Sequence, residues 1–171
     1  MNDSMDASSA IRVESVDLEN TQHVDGLLGL LDDYSQTEFG NGRPLEPQIL
    51  RQLIPGLRSS ANYLGFLAWH EDEPVGLANC FVGFSTFRAL PLMNVHDLCV
   101  HHRWRGRGIG RQLLTAVTAH AQKHDFCRVT LEVRSDNEVA RGLYQSMGFE
   151  AGAPAGVQME FLTKSISGGK A

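Results

Sequence analysis

The segment Arg105-Gly106-Arg107-Gly108-Ile109-Gly110 constrains this chain more than any other part of its sequence. It follows an apolar run from Met93 to Val100, which predicts a strand, and it leads into Ile109 to His120, where apolar residues recur at helical spacing. Glycines leave backbone N–H groups unobstructed by Cβ atoms, and the first turn of a helix offers further N–H groups that lack a carbonyl partner. The sequence therefore predicts a turn that binds an anion such as a phosphate.

Four arginines surround this turn: Arg103, Arg105, Arg107 and Arg111. Guanidinium groups donate charge-assisted hydrogen bonds to phosphate oxygens. Spacing excludes two familiar phosphate motifs, since G-x-x-x-x-G-K-S/T is absent and the glycines follow G-x-G-x-G instead of G-x-G-x-x-G. The alternatives are a solvated turn with chance basic residues and a nucleic-acid site whose affinity would fall steeply with salt. A formal net charge of -5 disfavours nucleic acid as a partner.

Length and composition predict one compact domain in a reducing compartment. The 171 residues, 42% of them hydrophobic, are enough to bury a core without metal or disulfide staples. Cys80, Cys99 and Cys127 are odd in number, widely spaced and set in strand-like runs, which is typical of buried free thiols. Neither a signal peptide nor a membrane-spanning stretch is evident. We expect a cytoplasmic protein with no membrane partner.

Hydrophobic periodicity predicts an alternating series of strands and helices. The predicted strands lie near 11–13, 63–69, 75–84, 93–100, 127–133 and 157–162, and the predicted helices near 20–34, 48–57, 109–120 and 138–147. This order predicts an α+β or mixed α/β fold, in which helices cover a mixed sheet. We expect a disordered lead over 1–10, a single domain over 11–163 and a flexible tail over 164–171.

Two motifs in this order resemble those of the GNAT superfamily of N-acetyltransferases. Its pyrophosphate loop, Arg/Gln-x-x-Gly-x-Gly/Ala, is matched by Arg105, Gly108 and Gly110. Its downstream segment, Asn-x-x-Ala-x-x-Leu-Tyr-x-x-x-Gly-Phe, is matched at every marked position from Asn137 to Phe149. The resemblance implies a central mixed, mostly antiparallel sheet of six to seven strands flanked by about four helices. It also implies acetyl-CoA as co-substrate, in a cleft between strands 93–100 and 127–133.

The resemblance further implies which residues hold the cofactor. A bulge in the strand before the loop would expose backbone groups to the pantetheine arm, and Asn137 would hydrogen-bond that arm. Tyr144 would lie near the sulfur and either protonate the departing thiolate or stabilise it by hydrogen bonding. The alternative interpretation is that Asn137 only caps a helix and Tyr144 packs in the core. The implied cofactor-binding residues are Leu98, Cys99, Val100, Arg105, Gly106, Arg107, Gly108, Ile109, Gly110, Arg111 and Asn137.

The acceptor amine must lose a proton before it attacks, so a base or a water chain is expected beside strand 93–100. The chain is similar here to the spermidine/spermine and thialysine acetyltransferase branch, in which an acidic residue before the aspartate is the proposed base. His96 occupies that position before Asp97 and is the candidate base, or else a histidine packed in the strand. Alternation along a strand predicts that only one of the two faces the acceptor. Tyr34, Glu38 and Asp97 are the expected substrate-binding residues. We expect no metal, because His96, His101 and His102 have no nearby Cys or Glu ligands in sequence.

These observations predict an enzyme that moves an acetyl group from acetyl-CoA to a primary amine of a small molecule. The amine would attack directly in a ternary complex, since Cys99 has no evident base partner for covalent catalysis. Two alternatives stay open: a catalytically silent, acyl-CoA-binding regulatory module of the same fold, and an acetyltransferase of protein N-termini or lysines. The resemblance favours a homodimer.

Overall fold

A computed structural model describes residues 10–152 and 162–164. These residues belong to two compact units that divide after Glu132. Most of the predicted lead (1–10), tail (164–171) and last strand (157–162) lies outside the described residues. The single domain over 11–163 therefore stays a prediction.

The first unit is built on a five-stranded sheet with the order β1-β2-β3-β4-β5. Its strands are β1 (Arg12–Ser15), β2 (Tyr63–His70), β3 (Glu73–Ser85), β4 (Leu90–Val100) and β5 (Val129–Leu131). Neighbouring strands are antiparallel except β4 and β5, which are parallel. The mixed, mostly antiparallel sheet is confirmed, but six to seven strands were expected and the described residues form five. The predicted sixth strand falls outside them, and β5 is shorter than its apolar run.

Three helices of the first unit were predicted from periodicity, and all three are present: α1 (Thr21–Ser35), α2 (Pro47–Ser59) and α3 (Ile109–Lys123). Asn20 caps α1 by accepting a hydrogen bond at Oδ1 from the Gln22 N–H, at 2.9 Å. Pro47 opens α2, where its missing N–H costs nothing. A short 3-10 helix, His102–Trp104, precedes the glycine-rich loop.

The sheet of the first unit packs helices on both faces. On one face, α1 and α2 bury Leu27, Leu30, Ile54 and Leu57 against residues that include Leu77 and Cys99. On the other face, α3 approaches β3 closely at Gly76. A Cβ at Gly76 would come within 2.9 Å of Ile109 Cγ2 and 3.0 Å of Leu113 Cδ1. The glycine therefore sets how closely the helix that follows the loop can pack on the sheet.

The second unit contains α4 (Glu138–Ser146), as periodicity predicts. Asn137 caps this helix, and Gly148 takes a positive φ of 83° shortly after its last turn. Among the helices formed by residues 10–152 and 162–164, none has the length and apolar character needed to cross a membrane.

Candidate active site

The pairing of β4 with β5, the last strand in the sheet order, ends partway along β4. In this parallel pair, Met93 lies opposite Val129, Asn94 opposite Thr130 and Val95 opposite Leu131. The pairing ends there, although β4 continues to Val100. The His101 N–H donates to the Val75 carbonyl of β3 at 3.0 Å. Because backbone hydrogen bonds alternate in direction along a strand, the N–H and C=O groups of Leu98 and Val100 point away from β3. Leu98 and Val100 therefore present main-chain groups on the side of β4 where the pairing with β5 has ended.

An irregularity in β4 lies at the point where the strands separate. Asn79 of β3 pairs with Asp97, but Cys80 pairs with Val95, so His96 is one extra residue in β4. The resemblance implies a bulge in this strand, and the structure places one at His96, before the expected cofactor-binding residues Leu98 to Val100. Because an inserted residue breaks the alternation of side chains, His96 and Asp97 both line one cleft. The expectation that only one of them faces the acceptor side was wrong for this reason.

Asp97 is held by a chain of partly buried polar groups. The Tyr63 hydroxyl donates to Asn79 Oδ1 at 3.0 Å, and Asn79 Nδ2 donates to Asp97 Oδ2 at 3.0 Å. Burial, with the nearby Cys80 and Asp97, raises the pKa of Tyr63 well above its usual range, so the phenol stays a donor. The chain therefore fixes the direction of the Asn79 amide and orients the carboxylate at the cleft.

The cleft has a volume of about 490 Å³, within the range of small-molecule sites. Residues of α1, α2, β3, β4 and the loop after α1 line it: Leu31, Tyr34, Ser35, Phe39, Gly40, Asn41, Leu45, Leu53, Leu57, Asn79, Phe81, His96 and Asp97. His96 is exposed, and its ring meets that of Phe81 edge-on, with centroids 5.7 Å apart. The cleft thus combines apolar walls with one carboxylate and one imidazole.

The loop between α1 and α2 is fastened to the end of α1. Ser35 Oγ donates to the Arg43 carbonyl at 2.8 Å, and the Leu45 N–H donates to Asp32 Oδ1 at 2.7 Å. Tyr34 Oη donates to the Phe39 carbonyl at 3.2 Å. Of the acceptor-side residues predicted from sequence, Tyr34 and Asp97 line the cleft. Glu38 is exposed and is not among the described residues that line it.

The glycine-rich loop takes the backbone that its composition predicts. Gly106 and Gly108 have φ values of 76° and 78°, in the left-handed region that favours glycine. A Cβ at either position would meet no atom of the described residues within 4 Å, so the space before both glycines is open. Gly108 is also the N-cap residue of α3. Because it has no side chain, the N–H groups in the first turn of α3 have no side-chain cap. The loop and the helix start fit a pyrophosphate.

Two arginines of the loop are positioned by the protein. Arg105 Nε donates to the Val100 carbonyl at 3.2 Å, which ties the loop back to β4. The Arg107 guanidinium carbon lies 4.6 Å from the centroid of the Trp104 ring, a stacked cation–π arrangement. Trp104 in turn donates from Nε1 to Glu73 Oε1 at 3.3 Å. Positive charge is therefore concentrated beside the start of α3.

The thiol in β4 has no features of a nucleophile. Cys99 is buried in the core between the sheet and α1, and its Sγ lies 3.7 Å from the Leu30 carbonyl. Burial raises the pKa of this thiol to about 12, with a further contribution from the Asp97 charge. A thiol with this pKa is protonated at neutral pH, and the protonated form is a poor nucleophile.

In the second unit, Asn137 and Tyr144 lie at opposite ends of α4. Asn137 Oδ1 accepts from the Ala140 N–H at 3.1 Å, so its carbonyl oxygen serves as the helix cap. Tyr144 is buried, and its ring centroid lies 5.9 Å from that of Phe149. Both observations match the alternative interpretation of these residues, and their roles at acetyl-CoA stay predictions.

Sequence reasoning missed Tyr63 and Asn79. Asn79 is an amide within the apolar run Val75 to Phe84, which is an available signal, because a polar group in a buried strand needs a partner. Its partners lie on two other strands, so only the sheet register identifies them. The apolar lining from α2 gave no functional signal, since the same leucines also pack the core.

Residues 28–149 of the chain match the model of a family described as the acetyltransferase (GNAT) family. The chain is 46% identical over 59 residues to N-alpha-acetyltransferase RimI of Mycobacterium tuberculosis, a stretch that covers 33% of this chain and 34% of the relative. The chain thus spans about a third of the length of this curated relative. Other curated relatives are matched over 23% and 20% of their lengths.

Two solved structures share the fold. The structure of a probable acetyltransferase is 24% identical, with a TM-score of 0.75 over 91% of this chain and 99% of that one. The aminoglycoside acetyltransferase AAC(6')-Iy, solved with a bisubstrate analogue of CoA and acetylneamine, is 17% identical, with a TM-score of 0.71 over 92% of this chain and 100% of that one. At these identities the likeness establishes the mixed α/β architecture.

Proposed function

Because the chain belongs to the GNAT family of acetyltransferases, whose co-substrate is acetyl-CoA, we propose that it acetylates the primary amine of a small molecule. One observation carries this proposal. Where β4 leaves β5, its bulge turns His96 and Asp97 together into a cleft of about 490 Å³. A small cationic amine fits a cleft that is apolar on most sides and holds one oriented carboxylate.

The glycine-rich loop is the proposed holder of the acetyl-CoA pyrophosphate. The N–H groups at the start of α3 would donate to phosphate oxygens, with Arg105, Arg107 and Arg111 adding charge-assisted hydrogen bonds. The outward-facing main-chain groups of Leu98 and Val100 would pair with the pantetheine arm, whereas the N–H and C=O groups of Cys99 point toward Leu77 of β3, so its expected backbone contact with the arm is not proposed. Gly106, Ile109 and Gly110 complete the loop, and Asn137 Nδ2 would bind the same arm. When bound, acetyl-CoA supplies an acetyl group activated as a thioester.

Asp97 and His96 take different roles in the proposed reaction. The Asp97 carboxylate would bind the ammonium form of the acceptor, since Asn79 holds it in place and its charge complements the cation. His96 would accept the proton that the amine loses, because imidazole is a common general base and an exposed ring can pass the proton to water. Tyr34 would contact the acceptor from α1, and Glu38 at the loop would attract it.

Direct transfer is proposed because the described residues offer no activated thiol at the cleft. Cys99 is buried and protonated, so the neutral amine would attack the thioester carbonyl itself, with a β4 N–H group polarising that carbonyl. Tyr144 would donate its hydroxyl proton to the CoA thiolate as it departs. A cytoplasmic location and a homodimeric assembly remain predictions that accompany this proposal.

The acceptor class is proposed from the resemblance and from the charge of the site. Similarity to the spermidine/spermine branch and the carboxylate in the cleft favour a polyamine or another cationic amine. A second candidate is acetylation of protein N-termini, because RimI, an N-alpha-acetyltransferase, is 46% identical over the stretch it shares with this chain. A peptide N-terminus would enter the same cleft, with the rest of the peptide lying outside.

Thiol release from acetyl-CoA tests these proposals. The chain is assayed with polyamines, amino acids, aminoglycosides and short peptides with different N-terminal residues, and products are identified by mass spectrometry. Turnover confined to small amines supports the first proposal, and turnover confined to peptides supports the second. Acetyl-CoA binding without turnover on any amine or peptide would instead favour the silent regulatory module.

A further inference from the structure

Three side chains with metal-binding atoms converge outside the proposed acetyl-transfer site. They are Asp33 of α1 and the two histidines that follow β4, His101 and His102. One ligand atom from each residue lies within 4.8 Å of the others. Asp33 Oδ1 and His102 Nδ1 are 3.5 Å apart, and the two imidazole centroids are 4.3 Å apart. None of the three belongs to the described residues that line the acceptor cleft.

His101 provides a second, independent observation. Its Nδ1 atom is buried, and within residues 10–152 and 162–164 it has no hydrogen-bond partner. A buried polar nitrogen that loses water without gaining a partner is rare in folded proteins, and an unassigned ion is one recognised explanation. The neighbouring carboxylate and second imidazole supply the remaining ligands that such an ion needs.

We propose that Asp33, His101 and His102 bind one divalent transition-metal ion of the zinc class. Imidazole and carboxylate ligands suit Zn²⁺, Co²⁺ or Ni²⁺, whereas Mg²⁺ and Ca²⁺ prefer oxygen ligands alone. Tetrahedral bonds of about 2.0–2.2 Å place ligand atoms roughly 3.3 Å apart. The Asp33 and His102 pair already has this spacing. The His102 side chain is 60% exposed, so it can turn to close the rest of the site.

The position of this site gives the ion a structural role. Asp33 is adjacent to Tyr34, which lines the acceptor cleft, and His102 begins the 3-10 helix that leads to the glycine-rich loop. A bound ion would join α1 to the entry of that loop. The ion therefore stabilises the folded chain, independently of the acetyl-transfer chemistry.

Calorimetric titration of the tag-free chain with ZnCl₂, after removal of metal with a chelator, tests this site. We expect one Zn²⁺ per chain and an upward shift of the unfolding temperature, with no shift in MgCl₂. His102→Ala and Asp33→Asn should each weaken Zn²⁺ binding at least about tenfold. His102 is exposed, so the metal-free His102→Ala chain should unfold at the wild-type temperature.

His124→Ala is the matched control, because His120 and His124 form another close imidazole pair, with centroids 4.3 Å apart. This variant should bind Zn²⁺ as the wild type does. The proposal is overturned if the wild-type chain binds no Zn²⁺, if His102→Ala and Asp33→Asn keep wild-type affinity, or if His124→Ala is the variant that loses binding.

Discussion

Asp97 accepts a hydrogen bond at Oδ2 from the Nδ2 group of Asn79, at 3.0 Å across two antiparallel strands. The same amide accepts from Tyr63 through its oxygen, so both ends of the amide group are engaged. This arrangement fixes a carboxylate at the point where β4 leaves β5. The bulge at His96 then places an imidazole beside it in the cleft.

Asn79→Leu should remove the support of Asp97 and leave the half-buried Tyr63 hydroxyl without its acceptor. We expect a loss of about 1–3 kcal/mol in the free energy of unfolding and a higher KM for the amine. Urea unfolding and steady-state kinetics measure the two effects. Asn94→Leu is the control, since Asn94 donates to Thr130 Oγ1 at 3.2 Å but does not line the cleft. An equal rise in KM in both variants would contradict a specific role for Asn79.

Gly108→Ala should abolish the stabilisation of the chain by acetyl-CoA. At φ 78° the added Cβ costs about 1 kcal/mol of backbone strain, and it protrudes into the open space where the phosphate is expected. Acetyl-CoA at about 100 times its Kd should stabilise the wild type by roughly 2.7 kcal/mol. Gly42→Ala is the matched control, because Gly42 has φ 68° and equal space. Thermal unfolding is measured with and without acetyl-CoA. The wild type and Gly42→Ala should both unfold at a higher temperature with acetyl-CoA, and Gly108→Ala should not.

His96→Gln and Asp97→Asn should separate proton transfer from amine binding. Loss of the imidazole removes the proposed base, so we expect kcat to fall about a hundredfold while KM changes little. Loss of the carboxylate removes a charged hydrogen bond, which raises the amine KM about ten- to a hundredfold. Measuring kcat and the amine KM for both variants tests this division of roles. Exchange of the two patterns would mean that Asp97 is the base.

Tyr144→Phe should lower kcat about a hundredfold or more, because it removes the proposed proton donor to the thiolate. The ring and its contact with Phe149 remain, so acetyl-CoA binding should be nearly unchanged. Thiol release and the acetyl-CoA thermal shift are measured on the same preparation. Wild-type turnover in this variant would restrict Tyr144 to packing.

Alkaline pH should destabilise the chain through its buried thiols. Burial raises the pKa of Cys80 and Cys99 from 9.0 to about 12, so both stay protonated when folded and ionise when unfolded. Between pH 9.0 and about pH 12 the unfolded state binds fewer protons than the folded state. The thiols' contribution to the free energy of unfolding is therefore undiminished below about pH 9 and falls as the pH rises toward 12. The slope approaches 1.4 kcal/mol per pH unit for each thiol. Unfolding free energies from pH 8 to 11 should decline less steeply in Cys99→Ala than in the half-buried control Cys127→Ala.

The sequence by itself determined the local features of this protein. Periodicity predicts the four helices and most of the sheet, and the glycines at 106 and 108 predict a loop whose positive φ values the structure confirms. Such features depend on residues close together in the chain, whose spacing is visible in the sequence. The two motifs likewise identify the family, because each is a continuous segment.

Only the tertiary structure decided how the strands are aligned and what the alignment brings together. A single extra residue in β4 puts His96 and Asp97 on one side, and hydrophobic patterning does not locate it because helices cover both faces of the sheet, so apolar residues on either side of the strand are buried. Tyr63, Asn79 and Asp97 come from three strands, and Asp33 reaches His101 and His102 from a distant helix. Contacts of this kind depend on packing between elements, so the spacing of residues along the chain does not encode them.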